Sequence, residues 1–101
     1  MSYSARREMK GKTKDGELID IAIQIGIPYE SQEYNSWACP ILVTGLHENL
    51  AEMHAIDSWQ SIQLAQKTIK GILRAFIEKG GELYIFGENE KVKLEEVDEF
   101  F

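Results

Sequence analysis

Cys39, His47 and His54 are the side chains of this 101-residue chain that suggest metal or thiol chemistry. A zinc site is built from close pairs such as Cys-x-x-Cys or His-Glu-x-x-His, because short spacing brings two ligands onto one ion. Neither pair occurs, and the two histidines stand seven residues apart, so Glu48 and Glu52 beside them complete no ligand set. One nucleophile–base pairing is on offer, Cys39 with a histidine. Cys39 alternates with Trp37 and Ile41, which suits a buried, inert thiol. Lys79-Gly80-Gly81-Glu82 follows a helical segment, whereas a phosphate-binding loop precedes one. The chain is therefore expected to be non-catalytic and to use neither metal nor cofactor.

Charge points instead to binding. The chain holds 17 acids against 11 bases, a net charge of −6, and the two signs are separated. Residues 1–14 carry five bases (Arg6, Arg7, Lys10, Lys12, Lys14) and Glu8, a balance of +4; residues 15–101 carry 16 acids and six bases, a balance of −10. An acidic body repels nucleic-acid phosphates and attracts basic protein surfaces. Tyr and Trp among acids are the composition of an interface hot spot. The loop Tyr29-Glu30-Ser31-Gln32-Glu33-Tyr34-Asn35-Ser36 has that composition. Tyr29, Glu30, Glu33 and Tyr34 are accordingly the candidate partner-binding residues, followed by Glu88 and Glu90 of the acidic tail. Trp37, Trp59 and Phe86, each taken alone, read as core.

The elements that position these residues follow from periodicity. Ile19, Ile21, Ile23, Ile25 and Ile27 recur at every second position, the mark of a strand with one face in a core. Asp15-Gly16 before it predicts a tight turn. Residues 3–12 then pair back as a first strand, with Ala5, Arg7, Met9 and Gly11 on one face and Arg6, Glu8, Lys10 and Lys12 on the other. Pro28 ends the isoleucine strand, since it has no amide proton for the ladder. Trp37 to Thr44 reads as the next strand, in which Pro40 predicts an edge position or a bulge. Leu50 to Ala55 either returns as a fourth strand or begins a helix.

Asp57, with Gln60 three residues on, is a capping-box start, and Gly80-Gly81 is a stop. Between them Ile62, Ala65, Ile69, Ile72, Leu73, Phe76 and Ile77 form one apolar helical stripe. Gly71 inside that helix predicts a close contact with the sheet. Leu83 to Gly87, apolar on both faces, predicts a central strand. Residues 88–101 form either a further edge strand or a loose acidic tail.

The fold predicted is a single α+β domain over residues 1–101, with order β-β-β-(β)-α-β. A mostly antiparallel sheet of four or five strands carries one long helix on one face. No apolar run nears the roughly 20 residues of a membrane helix, and the N-terminus has no apolar run of signal-peptide type. One cysteine excludes an internal disulfide, so a reducing cytoplasm is the expected compartment.

Trp37-Ala38-Cys39-Pro40, then Gly45-Leu46, then Ile56-Asp57-Ser58-Trp59-Gln60-Ser61 opening a helix, resembles a family of small uncharacterised bacterial proteins. In that family a strand reads Trp-x-Cys-Pro and the helix opens Asp-Ser-x-Gln-Ala. The likeness spans roughly residues 17–87, and Ser61 stands where the family usually has alanine. Small acidic proteins of this kind look like the immunity partners of bacterial toxins, including contact-dependent inhibition effectors. The acidic body, the lack of catalytic motifs, the single-domain size and the acidic-aromatic loop lead to a basic toxin domain as the expected partner, with no nucleic acid and no membrane. Two other readings stand beside it. One is a small-molecule or enzymatic pocket between helix and sheet with Cys39, His54 and Trp59 at its mouth; the other is a homo-oligomer joined through a strand edge.

Overall fold

Alternating isoleucines make the centre of the sheet. In the computed structural model, which describes residues 2–33, 35–85 and 90–101, β1 (Tyr3–Lys12) and β2 (Leu18–Gly26) form an antiparallel hairpin. Arg7 lies opposite Ile23, Met9 opposite Ile21 and Gly11 opposite Ile19, so the predicted faces are the observed ones. The connection is five residues long and wider than a tight turn. The Thr13 amide donates to the Glu17 carbonyl at 2.8 Å, and Gly16 takes a φ of 87°.

Pro28 interrupts the isoleucine strand without ending its lane. The chain resumes as a short strand, β3 (Tyr29–Ser31), against the same neighbour, β4 (Ser36–Thr44). Ile25 pairs with Ile41 but Tyr29 pairs with Ala38, so one extra residue is absorbed between them. Such an insertion turns every later side chain to the other face. Tyr29 would share the core face of Ile25 by simple alternation, and the bulge sends it to the open face instead. The segment read as a polar loop is therefore a hairpin arm, and the sheet gains a sixth strand over the four or five expected.

Pro40 lies in an interior strand, contrary to the edge position predicted for it. β4 pairs with β5 (His47–Ala55) along one side and with β3 and then β2 along the other. Pro40 falls between Ala38, the last partner of β3, and Ile41, the first partner of β2, where no ladder position on that side is lost. Its ring packs against Gly26, where an added Cβ would meet it at 3.1 Å. β5 is extended along its whole length although Leu50, Ala51, Glu52 and Met53 favour helix. Pairing with β4 overrides that propensity.

The helix α1 (Ser58–Glu78) starts as its cap predicts: the Asp57 carboxylate accepts the Gln60 amide at 2.7 Å, and Gln60 Oε1 accepts the Ile56 amide at 3.0 Å. It buries Ser61, Ala65, Ile69 and Leu73, and packs chiefly on β4 and β5. Gly71 marks no close contact; it faces solvent, with nothing within 4 Å of an added Cβ. The rest of the sheet's inner face is covered by the C-terminal segment. β6 (Glu82–Tyr84) pairs with β1, and the Val92 amide donates to the Leu83 carbonyl at 2.7 Å. A 3-10 turn (Leu94–Glu96) then leads into α2 (Val97–Phe100), with Val97 fully buried.

Two expectations change here. Among the described strands β6 pairs with β1 alone, its other side meeting only Lys91 and Val92 of the tail, so it is the last strand on that side of the sheet and not a central one. The part of the tail that is described, residues 90–101, packs against the body. Asp98 takes Arg74 and Lys70, and the Arg7 guanidinium donates to the Phe100 carbonyl at 2.6 Å while lying 5.1 Å from the Phe101 ring centroid. No described helix is long and apolar enough to cross a membrane.

Candidate protein-binding surface

Tyr29 and Glu30 leave the β3–β4 arm in opposite directions, because neighbouring residues of a strand face opposite sides. Tyr29 is 43% exposed on the open face and donates its hydroxyl to Glu52 of β5. That bond to a carboxylate raises the phenol above its ordinary pKa, with partial burial and the charges of Glu52 and Glu33 adding to it. Glu30 is exposed opposite Trp37, on the side that carries α1. Glu33 is exposed in the turn that joins the two strands. Asn35 closes that turn with a φ of 47°, a left-handed conformation asparagine tolerates better than most side chains.

Tyr34 and Glu88 lie outside the described residues. Glu90 is exposed next to Lys91, which bridges to Tyr84 of the edge strand β6. It therefore sits at the opposite side of the sheet from Tyr29, Glu30 and Glu33. Tyr29, Glu30 and Glu33 share one hairpin arm, with Tyr29 on its open face and Glu30 on its helix side, and Glu90 lies apart from all three.

Between the β3–β4 turn and the start of α1 lies a cleft of about 240 Å³, lined by Glu30, Ser36, Trp37 and Ile56 among others. Ile56 is 82% exposed and Trp59, in the first turn of α1, is 75% exposed. Trp59 is thus a surface residue, where its type alone had suggested core. A sequence signal for this corner exists. Asp57 as cap places Ile56 just before the helix, where an apolar residue normally packs onto the fourth helical position. That position is Ser61, whose hydroxyl turns back to the Ser58 carbonyl at 2.7 Å. Ile56 is left without its usual cover.

Charge adds to this end, where Glu30, Glu33 and the capping Asp57 lie, while Asp15, Glu17, Asp20 and Glu48 stand at the other end, by the β1–β2 and β4–β5 turns. Residues 15–66 contain eight acids and neither lysine nor arginine. Several of the bases are engaged elsewhere: Arg6 with Glu8, Lys10 with Asp20, Lys70 and Arg74 with Asp98. A surface with unneutralised carboxylates beside exposed apolar groups can steer a cation by charge and hold its neighbours by burial.

The residues first considered for chemistry do not converge. Cys39 is fully buried on the helix side, its thiol 3.7 Å from the Gly26 carbonyl, and burial pushes its pKa up. His54 stands on the opposite face and meets Ser36 Oγ at 3.1 Å. The sheet separates it from Cys39, so the thiol and the imidazole cannot act as a pair. Ser36 and His54 are neighbours across β4 and β5, where polar side chains commonly bond on a solvated face.

Between α1 and the sheet the space lined by Ile23, Ile25, Ile69, Phe100 and Phe101 is about 160 Å³. That is below the roughly 300–1,000 Å³ of small-molecule sites. Among the described residues no group of three His, Cys, Asp or Glu is placed to hold a metal ion. Iodoacetamide at neutral pH is expected to modify Cys39 at least about a hundredfold more slowly than a free thiol, since reaction requires local opening. Mass spectrometry over time checks this. Modification as fast as glutathione's would mean the thiol is accessible.

A family model described as Domain of unknown function (DUF6968) matches residues 5–94. No curated protein and no solved structure matches the chain.

Proposed function

Since this chain belongs to the DUF6968 family, whose description assigns no activity, we propose its function from its surface. It is a non-catalytic binding protein, an immunity protein that neutralises a basic, nuclease-type bacterial toxin such as a contact-dependent growth inhibition effector. The observation that supports this most is the acidic end of the molecule. There Tyr29, Glu30 and Glu33 project from one hairpin arm, and Asp57 caps the helix beside the cleft that Glu30 lines. Complementary charge of this kind raises association from a typical 10⁵–10⁶ to as much as about 10⁸–10⁹ M⁻¹s⁻¹, which suits capture of a toxin before it acts. Tyr34, Glu88 and Glu90 are assigned to the same role, with Glu90 as a secondary contact, given its distance from the arm in the sheet.

A tagged pull-down from lysate of the source organism, washed at low and high salt, identifies the partner. A basic protein held at low salt and encoded beside this gene is the expected result. With that partner in hand, Glu30→Lys combined with Glu33→Lys is expected to slow association by about tenfold or more and to flatten its dependence on salt. Stopped-flow rates at several ionic strengths read this out. Unchanged rates would remove the arm from the interface.

A further inference from the structure

We infer that the cleft between the β3–β4 turn and α1 receives an arginine side chain of the partner, with Ile56 and Trp59 covering the apolar residues beside it. This rests on the binding reading above and adds the chemistry of the segment bound, an arginine flanked by large aliphatic residues.

The cleft has the two groups such a side chain needs. Glu30 and Trp37 are a register pair of β3 and β4, and both line it. A guanidinium can lie on an indole face and donate to a carboxylate at once, which the compact ammonium of lysine does less well. Within the chain Arg7 is used in a similar way, stacked over Phe101 while donating to the Phe100 carbonyl. At about 240 Å³ the cleft has room for one long side chain, and is smaller than most small-molecule sites.

The chain does not supply the cation from its own neighbourhood in sequence, since residues 15–66 hold none. Ile56, also a lining residue, has lost the covering contact expected at its place before the helix because Ser61 stands where an apolar residue would be. Trp59 adds a second exposed apolar side chain at the same end of the helix. Exposed apolar groups at the edge of an acidic cleft fit a partner that is both basic and apolar over a few residues. They fit a purely polycationic partner poorly.

Trp37 and Trp59 are the only tryptophans, so ¹⁵N spectra of the full chain give two indole signals, told apart by Trp59→Phe. The probe is the peptide acetyl-Leu-Arg-Leu-amide, against the same peptide with citrulline, which keeps the shape and removes the charge. Arginine is expected to move both indole signals and to bind roughly tenfold more tightly than citrulline. Glu30→Gln should erase that difference, and Ile56→Ser with Trp59→Ser should weaken both peptides.

Equal binding of the two peptides, shifts confined to other parts of the surface, or no indole shift up to the solubility of the peptide would each overturn the inference. Concentration-dependent dimerisation abolished by Trp59→Ser would also overturn it, by giving the corner to a second copy of the chain. If the peptide fails while Glu30→Lys with Glu33→Lys still slows the natural partner, this site falls and the binding reading stands. Failure of both removes both.

Discussion

Leu73→Ala is expected to lower the stability of the protein by about 3–4 kcal/mol. Leu73 is fully buried in the middle of α1's apolar stripe and belongs to the cluster formed with Met9, Ile21, Ile41 and Val43. Removing its branched end gives up the transfer free energy of the lost groups and leaves a cavity that sheet backbone cannot close around. A domain of this size has roughly 5–15 kcal/mol in total, so about a fifth to four-fifths of it would go. Urea unfolding should show a midpoint lower by about 2 M with little change in slope. A loss below about 1 kcal/mol would mean that α1 does not lie on β4 and β5 through this residue.

Gly45→Ala is the second large effect, expected to cost about 2–4 kcal/mol. Gly45 begins the turn between β4 and β5 with a φ of 96°, where a side chain is strained. A Cβ there would also come within 2.4 Å of the Asp20 carbonyl oxygen, which belongs to the β2 backbone and has no flexible end to give way. Gly71→Ala is the internal control. That glycine sits in α1 with empty space around it, so the same change should stabilise by up to about 1 kcal/mol. Opposite signs at the two positions are the expected result in thermal unfolding. Two changes of the same sign would contradict the geometry at one of them.

Gly71 and Gly45 also show what residue type alone conveys. A glycine in a helix pattern reads as a close approach, yet at Gly71 there is none. The isoleucine alternation of β2 and the cap at Asp57 are readable because each is decided by local stereochemistry, a two-residue period in one case and an orphan amide in the other. β3 is not readable in that way: its pairing depends on one residue being absorbed around Pro28, which is set by where β4 lies. The interior position of Pro40 has the same origin, since the gap between β3 and β2 exists only in the assembled sheet.

For the binding surface, Tyr29, Glu30 and Glu33 are legible as an acidic-aromatic run, and the lack of any lysine or arginine between Lys14 and Lys67 can be counted directly. Ile56 and Trp59 are not legible from hydropathy, because an apolar residue after a strand defaults to core. Only the cap, which fixes Ser61 at the fourth helical position, reveals that Ile56 has nothing to pack on. The separation of Glu90 from the arm is likewise a matter of topology, since β6 joins the sheet beyond β1.

The contact between Arg7 and Phe100 spans 93 positions of the chain and bears on how the protein reaches its native state. Closing a loop of that length costs about 2 kcal/mol more than closing one of ten residues, so this contact forms late and slows folding relative to a helical bundle of similar size. At ribosomal rates the β1–β2 hairpin emerges roughly 4–15 s before Phe101. Until Glu78 is made Ile23 and Ile25 have neither α1 nor Phe101 over them, and Phe101 comes last. The nascent hairpin is then a substrate for chaperones, and a stalled or truncated chain presents a β-rich apolar surface to its neighbours.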